Sequence, residues 1–159
     1  MARLATELAL ALQSYTNNTI LVLALEAGEP GKGDVLLFAA DAQIGNWESW
    51  QTWTCETNGV KVTGPDLLKR TIFYKVGHHG SHNATLKGHG VEEMDALKAA
   101  IIPVDEEEAL KKRWGRMPLP DLIAALEKKA PGMIFRTDKK PDNSSGNVVI
   151  DDNYFEVVL

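Results

Sequence analysis

Asp41 and the run His78-His79-Gly80-Ser81-His82 are the residues whose types and spacing could do chemistry. Asp41 is the first polar residue after the apolar run Val35-Leu36-Leu37-Phe38-Ala39-Ala40, and the histidine run directly follows a second strand-like stretch ending at Gly77. A side chain at the end of a buried strand is held in place by that strand. Carboxylate oxygens and imidazole nitrogens together suit zinc, iron or manganese, and a firm site needs three or four such donors. All four histidines fall between His78 and His89, which is an uneven distribution. Each residue also has a plain reading. An Asp after a strand is ordinarily a turn or cap residue, and His-His-Gly-Ser can be a polar loop. His78 and His82 can alternatively share one face of a helical turn and form a two-ligand site without Asp41. His89, between Gly88 and Gly90, reads as a solvated loop residue.

Other chemistry-bearing groups carry less. Gly28 to Gly33 has the skeleton of a phosphate loop, but Asp34 stands where a lysine is needed, so the segment reads as a hairpin turn. Trp47, Trp50 and Trp53 read as packing, with a lid near Asp41 as the alternative. Lys111-Lys112-Arg113 with Arg116 reads as a solvated helix end, with phosphate binding as the alternative. Cys55 is the only cysteine, with no paired histidine nearby, which argues against an internal disulfide and against a cysteine nucleophile.

The elements that must position these residues follow from apolar periodicity and turn chemistry. Leu4, Leu8 and Leu12 predict a helix over 3–14. Apolar runs at 19–25 and 35–40, joined by the Gly-rich cluster, predict an antiparallel hairpin. Both runs are apolar almost throughout, so both of their faces are expected to be covered. Short helices are expected at 44–53 and 66–69, a strand at 71–76, a helix near 91–98 and a strand at 99–104. A helix over 105–113, acidic at its start and basic at its end, complements the helix dipole. A further helix at 119–129, a strand at 133–137 and a closing hairpin at 148–150 and 154–159 complete the chain. Residues 138–146 read as a polar, mobile loop.

Composition bounds the rest. The chain has 159 residues, which suits one domain (1–159), and no repeat or linker divides it. With 44% hydrophobic and 25% charged residues it has the proportions of a folded globular protein rather than a disordered one. No apolar run approaches the length of about 18 residues that crosses a membrane. The start of the chain lacks a signal-peptide shape, so a cytoplasmic protein is expected and the triplets at Asn17, Asn83 and Asn143 are read as chance rather than glycosylation sites. A net charge of −5 argues against general nucleic-acid binding.

Two motifs give the chain a resemblance. Val35-Leu-Leu-Phe-Ala-Ala-Asp41-Ala and Tyr74-Lys-Val-Gly-His-His-Gly-Ser81 resemble two late motifs of the metallo-β-lactamase superfamily, in the branch that includes the hydrolase-like domain of bacterial competence DNA-uptake proteins. Asn17-Asn18-Thr19 before the first strand is similar to the same branch, and the passage Ile102-Pro103-Val104-Asp105 and the segment Arg113-Trp114-Gly115-Arg116-Met117-Pro118 resemble a set of large bacterial metallo-hydrolase-like proteins. The likeness runs over roughly residues 10–137. It implies an α/β fold that is half of an αββα sandwich, a mixed sheet with helices on one face. It implies that Asp41 matches the metal-bridging carboxylate and His78 a ligand of the second metal. His79 would be a second ligand, a substrate contact or a proton donor, which makes Asp41 and His79 the catalytic candidates and Asp41 and His78 the metal candidates. Ser81 would support the loop. The cofactor implied is zinc or manganese, which in the family activates a bridging water near neutral pH.

The departures shape the functional expectation. The family's main metal motif, His-x-His-x-Asp-His, is absent, no histidine precedes residue 78, and Ala40 replaces the usual glycine before the aspartate. The chain therefore resembles the C-terminal half of the fold standing alone, with a weak or partial metal site. Half a sandwich leaves an apolar sheet face open, at a cost on the order of 10 kcal/mol for several hundred Å² at about 25 cal/mol per Å². The expectation is a homodimer, or a complex with a separately encoded N-terminal half. By itself the chain is expected not to be a competent hydrolase. The alternative is a metal-dependent, phosphodiesterase-like hydrolase whose dinuclear site a partner chain completes.

Overall fold

The Gly-rich cluster does fold as a hairpin turn. A computed structural model of the chain describes residues 20–57, 59–141, 147–151 and 154–159. The amides of Lys32 and Gly33 both donate to the Glu29 carbonyl, at 3.0 and 2.9 Å. That turn joins β1 (Leu23–Ala27) to β2 (Asp34–Phe38) in antiparallel register, Leu25 opposite Leu36. The first strand lies four residues later than apolar content suggests, because pairing outward from the turn sets its register. The helix expected at 3–14 lies outside the described residues.

β2 then runs parallel to β5 (Thr71–Lys75), β5 to β6 (Ala99–Ile102) and β6 to β7 (Ile134–Arg136). The result is a five-stranded mixed sheet in the order β1-β2-β5-β6-β7, and the protein is α/β. The connections carry the helices α1 (Ile44–Trp50), α2 (Gly64–Lys69), α3 (Glu106–Lys111) and α4 (Pro120–Lys129). Two further hairpins form, β3 (Thr54–Thr57) with β4 (Val60–Thr63), and β8 (Val148–Ile150) with β9 (Phe155–Val157).

Helix ends are written in the sequence. Thr63 accepts from the Asp66 amide at 3.1 Å while the Asp66 carboxylate accepts from the Thr63 amide at 3.1 Å, a reciprocal cap with Pro65 in the first turn. Asp105 caps α3 by accepting from the Glu108 amide at 2.8 Å.

Over β2, β5 and β6 one face of the sheet is covered by helices. Leu37, Tyr74, Ala100 and Ile102 pack against Trp47 of α1, Leu68 of α2, and Leu122 and Leu126 of α4 in a single buried cluster. The Trp47 ring meets Tyr74 edge-on at 6.0 Å, and its indole Nε1 donates to the Ala84 carbonyl at 2.9 Å. Trp47 and Trp50 are thus packing residues. The opposite face is only part-covered. The β8–β9 hairpin lays Val148, Ile150, Phe155 and Val157 over Ala99, Ile101, Phe73 and Phe135, with Phe135 stacked on Phe155 at 5.2 Å. At the β1–β2 end of that face the described residues leave Leu23 and Leu25 42% and 50% exposed, so they do not supply the cover on both sides that the composition suggests.

Residues 91–98 do not form a helix. Val91–Glu93 makes a single 3₁₀ turn, Met94 leaves helical geometry at ψ 75°, and the following amides of Ala96 and Lys98 donate to the Lys69 and Ile72 carbonyls. No helix among the described residues is long and apolar enough to cross a membrane.

Candidate functional site

The parallel strands deliver Asp41, His78 and His79 to the same end of the sheet. β2 ends at Phe38 and β5 at Lys75, and the chain beyond each turns sharply at the carboxyl end, the side on which open α/β sheets bind ligands. The two turns are locked together. The His78 amide donates to the Ala40 carbonyl at 2.8 Å, beside the Ala39 amide to Lys75 carbonyl bond that continues the ladder. Gly77 lies so close to the first turn that an added Cβ would stand 2.8 Å from the Ala40 carbonyl oxygen, so the approach needs glycine.

Three non-glycine residues of these turns hold left-handed backbone: Ala40 at φ 47°, His78 at 43° and His79 at 56°. Such conformations cost on the order of 1–3 kcal/mol each and concentrate where a side chain must be aimed. Here they aim the imidazoles. The His79 Nδ1–H donates to the Pro103 carbonyl, 2.7 Å away at the end of β6. That bond places a proton on Nδ1 and leaves Nε2 as the nitrogen facing outward on an exposed ring. The Ser81 hydroxyl donates to Asn83 Oδ1 at 2.8 Å, and the His78 Nδ1–H completes the triangle, 3.0 Å from both Asn83 Oδ1 and Ser81 Oγ. With Nδ1 so engaged, Nε2 is the ring nitrogen left to face a ligand. Outer hydrogen bonds of this kind, which orient a ring and raise its basicity, are how proteins prepare histidine ligands.

The turn is held from below and from the side. Gly80, at φ 68°, sits where an added Cβ would be 3.0 Å from Pro118 Cβ and 3.3 Å from Ile102, and its carbonyl accepts from the Leu119 amide at 2.8 Å. Tyr74, one residue pair earlier on β5, is fully buried. Burial pushes its phenol up to about 12, partly opposed by the hydrogen bond to the Thr85 hydroxyl. At the neighbouring strand end, the Arg136 guanidinium donates to the Asp138 and Glu106 carboxylates at 2.6 and 2.8 Å, pinning α3 to β7. Its hydrogen bond is the main reason the Asp138 carboxyl lies below the ordinary range.

Sequence reasoning placed Asp41, His78 and His79 together, and all three lie on adjoining turns. It did not find Asn83 or the Pro103 carbonyl. No local pattern marks either, since both act through contacts made only after folding. Ser81, 4% exposed, supports the loop as expected. His82 does not join His78 on a helical turn: the 3₁₀ turn ends at Gly80, Ser81 is extended, and His82 points to solvent. His89 is an exposed loop residue, bonded to Glu93 at 2.8 Å.

Two imidazoles and a carboxylate suit zinc or manganese in kind. They fall short in number, since among the described residues no three His, Cys, Asp or Glu side chains converge as a metal-holding group. Neither a protein-family model nor a curated protein nor a solved structure matches the chain.

Proposed function

We propose that the chain is the C-terminal half of a metallo-β-lactamase-like hydrolase fold, which contributes a half-set of metal donors and is completed by association. The observation that carries this reading is the pair of imidazoles at the end of β5, each with Nδ1–H committed to a fixed acceptor and Nε2 left free, on a turn bonded to that of Asp41. His78 and Asp41 would be the metal donors. His79, on the exposed side, would be a further donor or the proton-handling group. A bound zinc or manganese ion would acidify a coordinated water.

The strip of Leu23 and Leu25, left exposed by the described residues and flanked by the half-buried Leu36 and Phe38, supports the second part of the reading. A second copy, or a complementary N-terminal half bringing its own donors, would cover it. On this reading the isolated chain lacks hydrolytic turnover.

The test is metal bound per chain, measured by equilibrium dialysis against zinc and manganese on untagged protein, with sedimentation velocity on the same samples. Weak, saturable binding that disappears in His78→Ala and His79→Ala, without phosphodiester hydrolysis, is expected. Metal binding unchanged in both variants overturns the half-site. Tight binding with full turnover by the isolated chain overturns the need for a partner. Concentration-dependent dimers identify a second copy as the cover, and a persistent monomer assigns that role to the complementary half.

A further inference from the structure

The segment that leaves α3 returns to the histidine turn, and between those two points it carries an exposed basic and aromatic cluster. Lys111 and Lys112 are already matched by Glu107 and Glu108 at 2.7 and 3.7 Å. Arg113 and Arg116 are exposed, and among the described residues they make no ion pair or side-chain hydrogen bond. Trp114, between them, is 59% exposed, in contrast to the buried Trp47. In a chain of net charge −5, two unmatched guanidinium groups around an open indole are a local reversal of sign.

The backbone there is unusual in a way that points to the side chain. The Trp114 amide donates to the Ala109 carbonyl and the Arg113 amide to the Leu110 carbonyl, the paired bonds of a helix-ending motif whose left-handed position ordinarily takes glycine. Arg113 occupies it at φ 59°. The segment ends at Pro118 and Leu119, which pack on Gly80 and bond its carbonyl. The segment that carries the cluster thus reaches the His78–His79 turn within two residues of Arg116.

We infer that the 113–116 segment is the recognition arm of this site and takes a small phosphate ester joined to a planar ring, a nucleoside monophosphate in chemical class. Guanidinium groups match phosphate oxygens in paired hydrogen bonds, and an open indole stacks on a planar ring. The net negative charge of the chain disfavours a long polyanion and leaves the small ester as the fitting ligand. The inference rests on the His78–His79 turn being the functional centre.

The test is calorimetric titration of the full chain with AMP, ribose 5-phosphate and adenosine, in the presence of a chelator so that metal plays no part. Saturable AMP binding is expected, weakened at least tenfold in Arg116→Gln and in Arg113→Gly. The second variant relieves the left-handed position, so its thermal midpoint should stay level or rise, separating lost recognition from lost folding. Trp114→Ala should bring AMP down to the affinity of ribose 5-phosphate. No saturable AMP binding, equal binding by the wild-type protein of AMP and ribose 5-phosphate, or unchanged binding in the arginine variants overturns the inference. Because metal is excluded, AMP binding together with failed metal binding would retain the arm and remove only the metal half-site.

Discussion

The two faces of the five-stranded sheet are made from the same strands and similar residues, yet they meet different surroundings. On the helix side Leu37, Tyr74, Ala100 and Ile102 are buried beneath α1, α2 and α4. On the other side the β8–β9 hairpin covers the β6–β7 end and leaves Leu23 and Leu25 open. Apolar content alone does not distinguish them. The difference teaches that the face packed under the helices carries the stability of the fold, while the part-covered face is the one left for the association proposed above.

The largest expected effect falls on the helix side. Trp47→Ala removes a fully buried ring and leaves the Ala84 carbonyl without its indole donor. A loss of about 3–5 kcal/mol in urea denaturation is expected. A loss below about 1 kcal/mol would break the comparison.

Next comes Tyr74, whose phenol sits in the same cluster with its ionisation raised to about 12. The unfolded chain ionises this group near its ordinary value of about 10 while the native protein does not. The unfolded state therefore holds fewer protons between those values, and stability falls as pH rises through that window. The drop is at most about 2–3 kcal/mol, and Tyr74→Phe should remove it. Urea midpoints of both proteins from pH 9 to 11.5 check this, and parallel curves would sink it.

A smaller effect belongs to the edge of the helix layer. Thr63→Ala deletes the cap of α2 and should cost about 1 kcal/mol. The hydrogen bond from the Thr63 hydroxyl is also the main cause holding Asp66 below the ordinary carboxylate range. A depressed carboxylate stabilises above its unfolded value and loses that contribution as pH falls. The variant should therefore show a weaker decline in stability below pH 4 than the wild-type protein, in acid titrations followed by circular dichroism.

The smallest expected effect is on the open face. Leu25→Gln, on a half-exposed residue, should change the stability of dilute protein by no more than about 0.5 kcal/mol. Where wild-type chains self-associate, the same change should abolish the rise of the thermal midpoint with protein concentration. A large loss in dilute protein would show that the face is already covered within one chain.

Much of this arrangement was legible in the sequence. The Gly-rich cluster marks its turn through local chemistry, and the helices after Pro65 and Asp105 appear where expected, while the caps that start them, Thr63 and Asp105, were not read as caps. Residues 91–98 misled because Val91, Met94 and Leu97 are all buried at a spacing of three. That spacing suits one 3₁₀ turn, and the next backbone amides are taken by α2 and β5 rather than by a helix. The β3–β4 hairpin was missed because Thr54-Cys55-Glu56-Thr57 is mostly polar and Val60-Lys61-Val62-Thr63, though it alternates, is only four residues long. At the site, the residue types of Asp41, His78 and His79 were readable. Their aim was not, because it depends on Asn83, Pro103 and Pro118, partners set by tertiary contact.

The bond from the His78 amide to the Ala40 carbonyl has a consequence for how the two turns can behave in solution. That amide can exchange its hydrogen with deuterated water only when the turns part. Its protection is thus a direct clock for their separation, independent of any metal, ligand or catalytic assay. A slow clock would mean that Asp41 and the imidazoles move as one body, and that whatever binds one of them meets the others already in place.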